Sequence, residues 1–199
     1  MLYPDSINRL VDSFRKLPGI GEKTAARLAI SVLNFELEDA EEFSNSIKLV
    51  KSNIKECEIC HNLTEDAKCS ICSDNTRNEK LICVVQEFKD VIAFEKTGSF
   101  KGVYHVLGNL ISPLNGINPE NINIKSLIDR VKEYEVNEII LALKPSIEGE
   151  TTSLYILKIF EKTDVIVSRI ANGLPIGADI EYIDSLTLER AIEDRKNLS

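Results

Sequence analysis

Apolar positions along this chain change rhythm part-way. Up to about residue 56 they recur three and four apart, the spacing of one face of a helix. Ile7, Leu10, Val11, Phe14 and Leu17 make one such stripe, and Ala25, Leu28, Ala29, Val32 and Leu33 make a second. Phe43, Ile47, Val50 and Ile54 make a third, preceded by a run of mostly acidic residues from Glu38 to Glu42 that suits the positive end of a helix dipole. From about residue 80 the apolar runs become short and rich in Val and Ile. Strands are expected at 81–85, 103–107, 138–143 and 164–170, and helices at 88–96, 124–135, 150–161 and 185–196. That alternation predicts a parallel sheet covered on both faces. Asp184 and Ser185 are expected to cap the last helix, and 108–121 and 172–179 read as ordered loops long enough to carry function.

Residues 57–72 follow neither period. Cys57, Cys60, Cys69 and Cys72 form C-x2-C-x8-C-x2-C. Each C-x-x-C can fold into a knuckle that aims two sulfurs at one point, and two knuckles supply the four thiolates of a closed tetrahedral Zn2+ site. Four protein ligands leave no open position, so the expected metal holds structure. Disulfides suit secreted chains, and Met1 to Asp12 lacks the cationic start and apolar run of a signal peptide. A redox dithiol needs one C-x-x-C, not a matched pair. His61 reads as a surface neighbour of the knuckle and Cys83, inside an apolar run, as a small core residue.

Length and composition narrow the classes. At 199 residues, 43 % hydrophobic and 28 % charged, the chain can bury a sizeable core. No apolar run approaches the roughly 20 residues that a membrane-spanning helix needs, so no membrane partner is expected. Unpaired cysteines without a targeting segment point to a cytoplasmic setting. The net charge of −8 places any nucleic-acid binding on a local basic patch.

Such a patch follows the first helix. Leu17-Pro18-Gly19-Ile20-Gly21 makes a turn, Ile20 can plug it into the helical core, and Lys23 and Arg27 follow at i, i+4 on the next helix. Gly19 and Gly21 permit a sharp turn and close approach of another molecule, and a helix N-terminus offers free N–H groups to a phosphate. A plain Gly-rich connector with two solvated cations is the bland reading. A helix–hairpin–helix that contacts DNA backbones without reading sequence is the functional one, favoured by the amphipathic flanks and the paired cations. A zinc-based reader of specific DNA sequences is set aside, because no basic recognition helix is evident.

Taken in order, LPGIGEKTAARLA, the cysteine segment, ICVVQEFKDVIAFEKTG, KGVYHVLGNLISPLNGINPE, LALKPSIEGE and RIANGLPIGADIEY resemble the RecR family of bacterial recombination mediators over essentially the whole chain. The resemblance implies an α+β multi-domain chain. It would comprise a helix–hairpin–helix domain at 1–56, a four-cysteine zinc finger at 57–72, a Toprim-type α/β domain at 80–175, and a C-terminal loop and helix at 176–199. It further implies a homo-tetrameric ring able to encircle DNA, acting with RecO and RecF to load RecA onto single-stranded gaps coated by single-strand-binding protein. Lys23 and Arg27 stand at the family's DNA-contact positions. Asn109, Lys144 and Ala178 depart from the family's usual Gly, Asn and Gly, and Ala178 would be strained at a position needing positive φ.

Toprim domains in topoisomerases and primases resemble one another in a strand-end Glu and a later Asp-x-Asp that hold Mg2+. Here the first strand ends in Gln86, Glu87 is expected on the other face of the strand, Asp90 stands alone, and Lys144-Pro145-Ser146 replaces any Asp-x-Asp. The expectation is a domain without catalysis. The acidic residues Glu148, Glu150, Asp179, Glu181 and Asp184 read as a solvated rim at the strand ends, or as a docking surface for a basic partner such as RecO, with Glu148, Glu150 and Asp179 at its centre.

Overall fold

Residues 3–171, 174, 177–193 and 195 are described in a computed structural model, and the chain divides into two units, Met1–Ile54 and Lys55–Ser199. Met1 and Leu2, residues 172, 173, 175 and 176 of the expected loop, and residues 194 and 196–199 lie outside the described residues.

The first unit opens with α1 (Asp5–Arg15), whose Asp5 and Arg15 each lie at the end of the helix dipole that favours their charge. The hairpin follows, then α2 (Glu22–Ser31). Val11 from α1 and Ala25 and Ala29 from α2 form the buried centre, with Ile7, Leu10, Phe14 and Ile20 packed around it. The two alanines keep the helices close, and Ile20 seats the turn as expected. Leu17 and Leu33 depart from the stripes and are 53 % and 67 % exposed. The larger difference is α3 (Leu37–Asn53). The helix forms, yet it buries no side chain among the described residues. Its stripe of Phe43, Ile47 and Val50 is 45–63 % exposed, and Phe43 meets Phe35 edge-on at 6.3 Å between ring centres. Periodicity reports which face is apolar, and only a partner makes that face buried.

In the second unit, β1 (Lys55–Glu56) pairs antiparallel with β2 (Leu63–Thr64) to frame the cysteine segment. The α/β body is built from β3 (Asn78–Val85), α4 (Phe88–Glu95), β4 (Gly102–Val106), α5 (Ile124–Glu133), β5 (Glu138–Ala142), α6 (Ile147–Phe160) and β6 (Ile166–Arg169), with α7 (Ser185–Glu193) after it. The four strands are parallel in the order β4-β3-β5-β6. Alternation along β3 divides the core. Ile82 and Val84 face Leu127 and Val131 of α5 and Ile156 and Phe160 of α6, while Cys83 and Val85 face Val91 of α4. The 108–121 segment packs onto the α/β body: Leu110 and Ile111 enter the first of these cores, and the Ile111 N–H donates to Thr152 Oγ1 at 2.9 Å. Asp184 caps α7 as expected, its carboxylate accepting from the Thr187 N–H at 2.9 Å. Positive φ falls on Gly108 and Gly177 and not on Asn109 or Ala178, so neither departure is strained.

Candidate metal centre and nucleic-acid interface

Both C-x-x-C turns close in the same way. The His61 N–H donates to the Cys57 carbonyl at 3.0 Å and the Ser73 N–H to the Cys69 carbonyl at 3.0 Å. The Cys69 N–H also points at Cys57 Sγ, 3.3 Å away. These turns bring all four sulfurs within 4.8 Å of one another, and Cys60 and Cys69 lie 3.5 Å apart. Sulfurs at the corners of a tetrahedron of Zn–S bonds about 2.3 Å long would be roughly 3.8 Å apart, so the set fits Zn2+. Cys57, Cys60 and Cys69 are buried. Sulfur contacts with Cys69 and Cys72, then burial, push the Cys60 thiol up, whereas the contact from Cys60 holds Cys69 down. Thiolates this crowded need a divalent cation to coexist. Cys83 lies elsewhere, in the sheet, where burial pushes its thiol up to about 12, and it is a core residue as expected.

The cysteine segment is seated on the α/β body by contacts that spacing does not foretell. The Val106 N–H at the end of β4 donates to the Cys60 carbonyl at 2.8 Å. His61 is not a surface neighbour. Its Nε2 lies 2.8 Å from Ser126 Oγ on α5 and its Nδ1 3.0 Å from Glu56 Oε2. These bonds hold a non-glycine residue at φ 60°, a left-handed conformation that costs about 1 kcal/mol or more. The His61 ring stands edge-on to that of His105, 5.4 Å away. Fully buried His105 donates from Nε2 to the Asn123 carbonyl at 2.7 Å, and burial pushes its pKa down to about 3. Arg77, just after the segment, grips the Glu95 carboxylate through two nitrogens, and the Tyr104 hydroxyl donates to the same carboxylate at 2.7 Å. Arg130 also reaches the cysteine segment, its Nη2 lying 4.0 Å from Cys72 Sγ, and the sequence does mark it: a charge three residues after Leu127, inside the buried stripe of α5.

In the first unit, Gly19 takes φ 80°, which is why glycine is needed there, whereas Gly21 is extended and begins α2. No side chain caps the α2 N-terminus. Lys23 and Arg27 are exposed and line one open cleft of about 620 Å3 with Tyr3, Glu22, Ala26 and Ile30. Neither cation enters an ion pair among the described residues. An uncapped helix N-terminus is thus followed by two exposed cations that line one cleft, beside Glu22, an arrangement suited to phosphate oxygens.

At the carboxyl ends of β3 and β5, where strand order reverses and α/β sheets gather ligands, lies a cleft of about 420 Å3. Gln86, Glu87, Lys89, Asp90, Lys144 and Pro145 are among its lining. Glu87 does not point to the opposite face as expected, because β3 ends at Val85 and strand alternation stops there. Its carboxylate pairs with Lys89 at 2.7 Å, and Asp90 Oδ2 accepts from the Glu87 N–H at 2.8 Å, capping α4. Both carboxylates therefore have local partners. Among the described residues, the four cysteines are the one cluster of three or more His, Cys, Asp or Glu close enough to hold a metal. Farther along, the Glu148 carboxylate is held low by its own backbone N–H and by Ser146. Glu150 is engaged by Arg169 at 2.9 Å and Arg190 at 3.0 Å, which spends much of its charge internally. Asp179 is exposed.

Residues 80–171 match the Toprim domain. The Recombination protein RecR of Lactobacillus johnsonii is 50 % identical to the chain over 199 residues, covering all of both proteins. The chain belongs to the RecR family. Residues 7–50 match the RecR helix-hairpin-helix, 54–74 the RecR four-cysteine zinc finger domain and 173–196 the RecR C-terminal region. The resemblance carried by the motifs holds, and so does the fold class: a helical hairpin, a four-cysteine finger and a Toprim-type parallel sheet. The cysteine cluster of this RecR-family chain is its zinc site. No helix among the described residues of this RecR-family chain is long and apolar enough to cross a membrane.

Proposed function

We propose that this chain is a DNA-binding recombination mediator. The observation that carries the reading is α2, whose N-terminus has no side-chain cap and whose Lys23 and Arg27 line one open cleft, in a chain of the RecR family. Gly19 and Gly21 shape the turn so that a phosphate can approach the backbone. Binding to duplex or single-stranded DNA would be sequence-independent, because backbone phosphates carry no base identity. Substituting Lys23→Ala and Arg27→Ala together tests it. For every phosphate that the variant no longer neutralises, the slope of log K against log [salt] should flatten by about 0.9 on duplex DNA and about 0.7 on single strands. Unchanged affinity and slope would remove the hairpin as the DNA site.

The finer reading is a homo-tetrameric ring that keeps DNA by encirclement and acts with RecF and RecO to load RecA on gapped DNA. A ring needs basic residues only on its lining, which reconciles DNA binding with a net charge of −8. The domain limits at 1–56, 57–72, 80–175 and 176–199 and a cytoplasmic location belong to the same proposal. The Toprim-type domain would act as a scaffold and not as an enzyme. Gln86 can neither serve as a carboxylate base nor balance a divalent charge, and Glu87 and Asp90 have local partners. Mg2+-dependent cleavage or synthesis by the purified protein would overturn this. Glu148, Glu150 and Asp179 would make up the surface offered to RecO, although Glu150 is already engaged by Arg169 and Arg190. Charge reversal at Glu148 and Asp179 together should weaken RecO binding, and equal affinity would dismiss the surface.

A further inference from the structure

Arg130 is a cation buried without a carboxylate. It is 6 % exposed, and no acidic side chain among the described residues lies within ion-pair distance of it. Asp129 and Glu133 line the same groove and still do not pair with it. A guanidinium cannot shed its charge by deprotonation, and an uncompensated buried charge is strongly destabilising. Glu58 of the cysteine segment lines that groove too and likewise makes no ion pair with Arg130, so the direct contacts of the guanidinium are dipoles, a ring and a sulfur. Nη1 donates to the Tyr104 carbonyl on β4 at 2.6 Å, the group stands 5.9 Å from the centre of the Tyr134 ring, and Nε has no partner. Its remaining nitrogen, Nη2, lies 4.0 Å from Cys72 Sγ.

The cysteine cluster has the complementary problem. Four thiolates around one divalent ion leave a net charge of about −2 in a largely buried site, and buried charge requires a counter-charge or hydrogen bonds. Arg130 is the cationic side chain in contact with a cluster sulfur among the described residues. We propose that Arg130 is the counter-charge of the metal-bound thiolates and the positioning residue that seats the zinc finger on the α/β body. Its side chain ties the second knuckle to β4 through one nitrogen each, so metal charge and sheet position are held by one group. Loading the metal supplies the anion that buried Arg130 lacks, and Arg130 in turn offsets the negative charge gathered at Cys72.

The test uses the full chain and four variants, Arg130→Met, Arg130→Lys, Cys72→Ser and the Cys72→Ser, Arg130→Met double variant, with two readouts independent of DNA. Zinc affinity is measured by competition with a colorimetric chelator, and the thiolate-to-metal charge-transfer bands are recorded after substitution with Co2+. Arg130→Met, which keeps length and removes charge, should lower zinc affinity by about 10-fold, the usual effect of removing an outer-shell partner, and should shift the charge-transfer bands. Arg130→Lys should recover most of the affinity. The Arg130→Met effect should shrink in a Cys72→Ser background, where the contacted thiolate is gone. If Arg130→Met does not fold, Arg130→Lys decides: bands at the native position with native affinity support the charge role, and loss of zinc despite a retained cation overturns it. Native zinc affinity and unmoved bands in a folded Arg130→Met protein would also overturn it, leaving Arg130 a packing residue.

Discussion

His105 shows how a single residue can set the response of the fold to acid. It is fully buried, donates to a backbone carbonyl through Nε2, and its Nδ1 has no partner. Burial pushes its pKa down from 6.5 to about 3, so as pH falls below 6.5 the unfolded chain takes up a proton that the folded chain refuses. The stability contributed by neutral His105 is therefore complete above pH 6.5 and is lost as pH drops towards 3. The slope within that window is about 1.4 kcal/mol per pH unit. His105→Gln keeps a donor near the Nε2 position and removes the titration. Urea denaturation at several pH values should show the difference between variant and native protein changing by that slope between pH 6 and pH 5, about one unit inside the window. Parallel curves would mean that His105 does not couple to folding in this way. Nothing in the run GVYHVL marks this histidine as buried and singly bonded; its environment comes from Asn123 and from the His61 ring.

Elements are legible where their signals are local. Each expected strand of the sheet is present, because Val- and Ile-rich runs of four to eight residues between turn signals suit a sheet buried on both faces. The helix expected from 150 starts earlier, at Ile147, since Ser146 caps α6 through its hydroxyl, 3.2 Å from the Gly149 N–H. Gly149, just before the expected start, belongs to that first turn. It is buried, and a Cβ there would overlap the Lys144 carbonyl oxygen, so the first turn of α6 can press on the chain that follows β5 only with glycine. Gly149→Ala would gain about 1 kcal/mol of helix propensity, but the overlap involves backbone and cannot be relieved by a rotamer. The net loss should be about 1–3 kcal/mol, read as a lower urea midpoint with an unchanged slope. An equal or higher midpoint would show that the α6 turn moves freely. The third helix gives the opposite lesson: its apolar period is clear, and its burial does not follow from it.

At the scale of the whole molecule, the exposed stripe of α3 and the net charge of −8 bear on assembly. Phe43, Ile47, Leu49 and Val50 are 45–63 % exposed on one helix, a pattern that marks an interaction surface. A second copy of the chain is the occupant that the proposed ring requires. Light scattering should give a mass above the 22.3 kDa of one chain, rising further with gapped DNA. A strict monomer in both conditions would undercut encirclement and leave the hairpin contacts to be judged alone.

By itself, the sequence determined the helical and strand periods, the glycine turn before Lys23, the four-thiolate metal set and the family, because each depends on residues close along the chain or on their order. Tertiary structure decided what faces what. Arg130 meets Cys72 from 58 positions away, His61 meets Ser126 from 65, and Arg190 meets Glu150 from 40. Those pairings arise only when the sheet order β4-β3-β5-β6 sets the cysteine segment against α5 and the last helix against α6. Hydrophobic burial, which is not directional, drives the collapse. The partners of individual charges inside it are then chosen by geometry, which no spacing in the sequence records.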